Sequence, residues 1–124
     1  SSEVPTVDIP LVSINIPVSI YNLLLGFNQS WDGLINDGDD AVWKLVEEAS
    51  PASDKLSAVD FSEEKGYRFS KFYAYELYEE KPYVVVSIVE TYIDENQNEI
   101  RNKVTYWISD SDTVPKIYDF SANN

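Results

Sequence analysis

The chain has 124 residues, a one-domain length, and its 44% hydrophobic content is too high for a wholly disordered polymer. Twenty-two Asp and Glu against nine Lys and Arg give a net charge of −13, which repels phosphate backbones and excludes nucleic acid as a partner. The absence of cysteine and histidine removes disulfides, thiolate chemistry, zinc–cysteine sites and any histidine-based triad.

Residues 1–17 carry prolines at 5, 10 and 17. Proline fixes φ and withholds a donor, so this segment is expected to be an extended tether or an edge strand. Its apolar residues Val7, Ile9, Leu11, Ile14 and Ile16 suggest that it lies against a surface. No methionine occurs, so the chain is expected to be processed or trimmed, with any signal peptide or anchor upstream of Ser1. "IYNLLLGF" is the most lipid-like stretch, far short of the roughly 18 residues of a membrane span.

From residue 18 the apolar positions recur at three- and four-residue steps. Ile20, Leu23, Leu24, Phe27, Trp31, Leu34 and Ile35 form the stripe of an amphipathic helix, opened by Pro17 or Ser19 and closed at "NDGD" with Gly38 as a left-handed cap. Asp39 or Asp40 then caps a short second helix, "AVWKLVEEA". "SPASDKLSAVDF" restarts a third, with Ser50 as cap, Pro51 in the first turn, and Leu56, Val59 and Phe61 facing inward.

After Gly66 the period becomes two. "YRFSKFYAYELYEE", "PYVVVSIVETYI", "IRNKVTYWIS" and "VPKIYDF" read as four strands rich in β-branched and aromatic residues. Short polar connections, "EKP", "DENQNE" and "DSDT", make successive strands antiparallel neighbours. In the third strand Ile100, Asn102, Val104, Tyr106 and Ile108 share one face, as a sheet covered on one side requires. The expected fold is α+β: N-terminal helices on a curved, cone-shaped antiparallel meander of four or more strands. Residues 18–121 form the domain and 122–124 a tail.

This order resembles the nuclear transport factor 2-like (cystatin-like) superfamily, whose bent sheet wraps around the first helix. The likeness is carried by "W…INDGDDAVWKLV", the "SPAS" restart and the closing "PKIYDF". Within the superfamily it is similar to extracytoplasmic domains of Gram-positive membrane-anchored proteins of the TcaA/YvbJ type. The resemblance implies a domain displayed outside the membrane, reached through residues 1–17, and permits a homodimer through the sheet. It also raises the superfamily's isomerases and dehydratases, which use a pocket between the sheet and the first helix.

The favoured reading is a non-enzymatic binding or sensory module, secreted or anchored, with a protein or small-molecule ligand and no cofactor. Its candidate contact residues are the strand aromatics Tyr73, Tyr75, Tyr83, Tyr92, Tyr106 and Trp107, together with Trp31. Which of them share a face depends on register, since a one-residue slip exchanges the two faces. Trp31, Trp43 and Trp107 either line a pocket or plug the junction between helices and sheet. Acidic immunity-type binding of a basic protein is the alternative, with salt-sensitive association as its mark. An enzyme using a pocket carboxylate is the third, with Glu76, Glu90 and Asp119 as the strand acids, although strand glutamates usually face solvent.

No metal site is expected. "DENQNEI" places Asp94, Asn96 and Asn98 at alternate positions, but Glu99 and Thr105 stand where a calcium loop needs glycine and glutamate, so it reads as a hairpin turn. "NDGDD" and "SDSD" read as a helix junction and a turn. "NQS" at 28–30 matches a glycosylation acceptor but falls inside the first helix.

Overall fold

The computed structural model describes residues 14–59, 65–109 and 114–122. Most of the tether, Phe61, the "DSDT" connection, most of "SDSD" and the last two residues lie outside them. Helix α1 spans Val18–Asp37, a 3₁₀ turn covers Ala41–Leu45, and α2 spans Pro51–Ser57. Four strands follow, β1 Arg68–Glu80, β2 Tyr83–Ile93, β3 Glu99–Ser109 and β4 Lys116–Ala122. They form one antiparallel meander in chain order. Class, element order and strand pairing are those the period change dictates.

The cone is not. The sheet is open, ordered β1-β2-β3-β4, and is neither closed nor strongly curled. A sheet bends sharply where a bulge inserts an extra residue into one strand. The register shifts lie in the outer pairs, at Phe69/Lys71 and Ala74/Glu76 in β1 and beside Trp107/Ile108 opposite β4. The central β2–β3 ladder runs from Tyr83↔Ser109 to Ile93↔Glu99 without a shift. Nothing in the middle of the sheet folds it around α1.

The helices cover one face. Leu23, Leu24 and Phe27 of α1 pack with Val84, Val86 and Ile88 of β2, Val104, Tyr106 and Ile108 of β3, and Ile117 of β4. The far end of α1 is tied to the start of β1. Asp32 accepts from Phe69 N–H at 2.9 Å and pairs with Arg68 at 2.7 Å, while Asn36 bridges Gly66 N–H and Tyr67 C=O. Gly38 ends the helix at φ +72, where its N–H reaches Leu34 C=O. A side chain there would be strained in the left-handed region.

The second helix of the sequence reading is shorter than expected. Val46 leaves the turn in extended conformation and bridges Ile117 in parallel, and Glu47 N–H donates to Ile117 C=O. Pairing with β4 thus takes the backbone groups that a longer helix would have used. Asp40 occupies the cap position of the turn without a side-chain cap bond, while Asp39 accepts from Ala41 N–H at 3.0 Å. Ser50 caps α2 as expected, accepting from Ser53 N–H at 3.1 Å while its hydroxyl donates to Glu47 C=O at 2.6 Å. Ser50→Ala is expected to cost about 1–2 kcal/mol, read by urea denaturation, because the cap and the tie to residue 47 are lost together. An unchanged midpoint would show that α2 is held by its Leu56 contact alone.

The end of the tether does lie against this domain. Ile14 N–H donates to Ala74 C=O at 2.9 Å, and Ile14 and Ile16 pack on the core.

Candidate functional site

Strand alternation sends Val84, Val86, Ile88, Glu90 and Tyr92 to the helix-covered face. At Glu90 the wall of valines and isoleucines gives way to a carboxyl that is only 6% exposed. Above it α1 presents Phe27, Asn28 and Trp31, and between them lies a cavity of about 540 Å³. Its walls come from α1, α2, residue 67 and the last three strands. Phe27, Trp31, Tyr67, Tyr92, Tyr106 and Phe120 supply the rings. Asn102, Ser121 and Lys55 are polar residues of the wall.

The rings hold one another. Phe27 meets Tyr106 edge-on at 5.7 Å between centroids, with Phe120 also at 5.7 Å and Trp31 at 6.1 Å. Trp31 stands edge-on to Phe120 at 6.3 Å. Such pairs fix ring orientation beyond what area burial does.

A polar chain runs through this apolar wall. Tyr106 hydroxyl donates to Glu90, Tyr92 hydroxyl donates to Asn28 Oδ1 at 2.9 Å, and Asn28 Nδ2 donates to Leu24 C=O at 3.0 Å. Burial pushes the Glu90 carboxyl up to about 7, although hydrogen bonds from Tyr106 and Asn28 pull the other way. Burial, followed by the neighbouring Glu90 charge, holds the Tyr106 phenol well above its ordinary range. Glu90 is therefore poised between acid and carboxylate near neutral pH.

The sequence candidates divide between two faces. Trp31, Tyr92 and Tyr106 line the cavity. Tyr73, Tyr75, Tyr83 and Trp107 belong to the opposite face. There Tyr73 pairs with Val89 and Trp107 with Val85, Lys103 sits 5.7 Å over the Tyr75 ring, and Tyr83 stacks on Tyr118 at 4.5 Å. Of the three tryptophans only Trp31 sits between helix and sheet; Trp43 is exposed, and Trp107 donates to Glu80 at 3.3 Å.

The strand acids also separate. Glu76 is exposed, Asp119 pairs with Lys55 at 2.8 Å, and Glu90 is buried, against the rule that strand glutamates face water. Its position in step with Val84, Val86 and Ile88 was the available signal. Asn28 was missed as a site residue. It lies one helical turn after Leu24 and is buried, which removes it as a glycosylation acceptor in the folded chain. The "DENQN" hairpin folds its carboxylate inward, with Asp94 accepting from Asn96 and Asn98 N–H at 2.8 Å each. Among the described residues no cluster of acidic side chains could hold a metal ion.

The fold and site together define an α+β domain with an aromatic, acid-bearing cavity between its first helix and an open antiparallel sheet. No family model, curated protein or solved structure matches the chain. The likeness to the nuclear transport factor 2-like and cystatin-like superfamily is therefore withdrawn: no match supports it, and the uncurled sheet lacks the cone that defined it. A place outside a Gram-positive membrane was an implication of that likeness. No helix among the described residues is long and apolar enough to cross a membrane.

Proposed function

We propose that this domain is a binding module whose small-molecule ligand occupies the cavity between α1 and the sheet. One observation carries the reading: a half-open cavity of about 540 Å³ whose wall includes six aromatic rings and one buried carboxyl, that of Glu90. Ligand sites are concave, mostly apolar and furnished with a few convergent polar groups, within this range of size. Screening of a fragment mixture by protein NMR tests it. Shifts are expected at Asn28, the Trp31 indole, Glu90 and Tyr106. Ser121→Trp, which fills the cavity from the sheet border, is expected to abolish them while the remaining spectrum is retained. Shifts confined to the Tyr73, Tyr75 and Trp107 face would overturn the reading.

Proton transfer to or from the bound molecule is a second reading, favoured by the titration of Glu90 at about 7, where a general acid or base works best. Solvent deuterium entering the α-carbon of an aromatic ketone, at a rate lost in Glu90→Gln, is the expected sign. Equal exchange in both proteins leaves binding as the function.

A further inference from the structure

We propose that the cavity selects a hydrophobic cation, a primary or secondary ammonium on an aromatic or alicyclic body, with its N–H donors on Glu90 and its charge against the surrounding rings. This rests on the binding reading above and adds the chemical class of the ligand.

The donors around Glu90 are already engaged. Tyr106 hydroxyl is spent on Glu90, Tyr92 hydroxyl on Asn28 Oδ1, and the Asn28 amide on Leu24 C=O and Glu90. The network that surrounds the carboxyl thus turns its donors inward, and the capacity it leaves for a ligand is that of an acceptor. A ligand that addresses the Glu90 carboxylate has to bring a donor. Phe27, Trp31, Tyr106 and Phe120 form the adjoining wall, and the faces of such rings attract a cation, most strongly where water is excluded.

Charge points the same way. An anion would meet the Glu90 carboxylate in a desolvated site, a costly like-charge contact. The one cation of the wall, Lys55, is already engaged by Asp119 at 2.8 Å and by Phe120 C=O, and it lies 5.6 Å over the Phe120 ring. The −13 field of the whole chain raises the local concentration of cations.

The titratable groups lining the cavity with Glu90 are Tyr92 and Tyr106 from the sheet, Tyr67 ahead of β1, and Lys55 from α2. Helix α1 offers the neutral Asn28, and β1 sets Phe72 opposite Glu90 in register. A bound ammonium supplies the charge partner that burial denies Glu90, so it favours the ionised form. Affinity then rises as Glu90 ionises, levels off above pH 7, and binding below pH 7 expels a proton.

The test titrates the full chain with 2-phenylethylamine, 2-phenylethanol and 3-phenylpropanoate, followed by the Trp31 indole and backbone amide NMR shifts. At pH 8 the amine is expected to bind at least about tenfold more tightly than the alcohol, and the carboxylate most weakly. Its affinity at pH 5.5 is expected to be about thirtyfold lower than at pH 8, while that of the alcohol changes little. Glu90→Gln is expected to erase both the preference and the pH dependence; the wild-type pH series decides the matter if that variant fails to fold. Equal affinity for amine and alcohol, or tighter binding of the carboxylate, overturns the cation inference and leaves the cavity as a binding site. Cavity residues that respond to none of the three probes overturn both.

Discussion

Glu90→Gln is expected to stabilise the free protein at pH 8 by about 2–3 kcal/mol and to flatten its stability profile between pH 4.5 and 7. The carboxyl titrates at about 7 in the folded chain, against an ordinary value of 4.5, because burial opposes its charge. Between those two pH values the folded state holds a proton that the unfolded state has released. Stability contributed by this group therefore falls as pH rises through the window and is constant above it. Its full size follows from 1.36 kcal/mol for each tenfold change in proton affinity, about 3 kcal/mol in all. Glutamine keeps an acceptor for the Tyr106 hydroxyl and carries no charge to desolvate.

Urea denaturation of both proteins at half-unit pH steps measures the difference, in which the other carboxylates cancel. The two profiles should meet near pH 4.5 and diverge up to pH 7. Parallel profiles would show that Glu90 ionises without hindrance, and the polar chain described above would then have to be redrawn.

Phe27→Ala is expected to remove about 3–5 kcal/mol, the range for deleting a buried phenylalanine ring from a packed core. Phe27 is 3% exposed and central to the cluster that joins α1 to β3 and β4 through Tyr106 and Phe120. Alanine leaves a void that Trp31, anchored on Phe120 from the other side, cannot fill without moving. Against a total stability of roughly 5–15 kcal/mol for a domain of this kind, the loss brings the protein close to its unfolding threshold. Trp43→Ala is the control. The larger ring is 38% exposed, and its removal is expected to change stability by less than about 1 kcal/mol. Similar losses for the two variants would mean that α1 is not fastened to the sheet through Phe27.

Much of this architecture is legible in the chain because it depends on local periodicity. The three- and four-residue stripe ends at Gly38, the two-residue alternation begins just after Gly66, and both changes coincide with real boundaries. Ile100, Asn102, Val104, Tyr106 and Ile108 share a face because an unbroken ladder preserves parity. What escaped depends on tertiary pairing. The curvature of the sheet is set by where bulges fall, and Tyr75 or Tyr118 does not announce itself as an inserted residue. The second helix was cut short by the pairing of Val46 and Glu47 with Ile117, a partner far along the chain.

The site was partly visible. Tyr92, Tyr106 and Trp31 were candidates by residue type, and Glu90 was noted as a strand acid. A general rule about exposed glutamates outweighed the plain fact that Val84, Val86 and Ile88, which precede it in alternation, are all aliphatic. Asn28 drew attention only as a discounted glycosylation match, although its spacing from Leu24 and Trp31 places it on the inward side of α1.

Phe27 and Phe120, from α1 and β4, meet in the wall of the pocket. Contacts between such remote segments are the slowest a chain makes. Without β4 the recess loses the part of its wall that Phe120, Ser121 and Ala122 supply, so on the binding reading proposed above recognition would wait until that strand has docked. A ligand of the proposed kind would clasp α1 to β4, so that it would have to leave before β4 could peel away, and amide exchange along residues 116–122 should slow as occupancy rises.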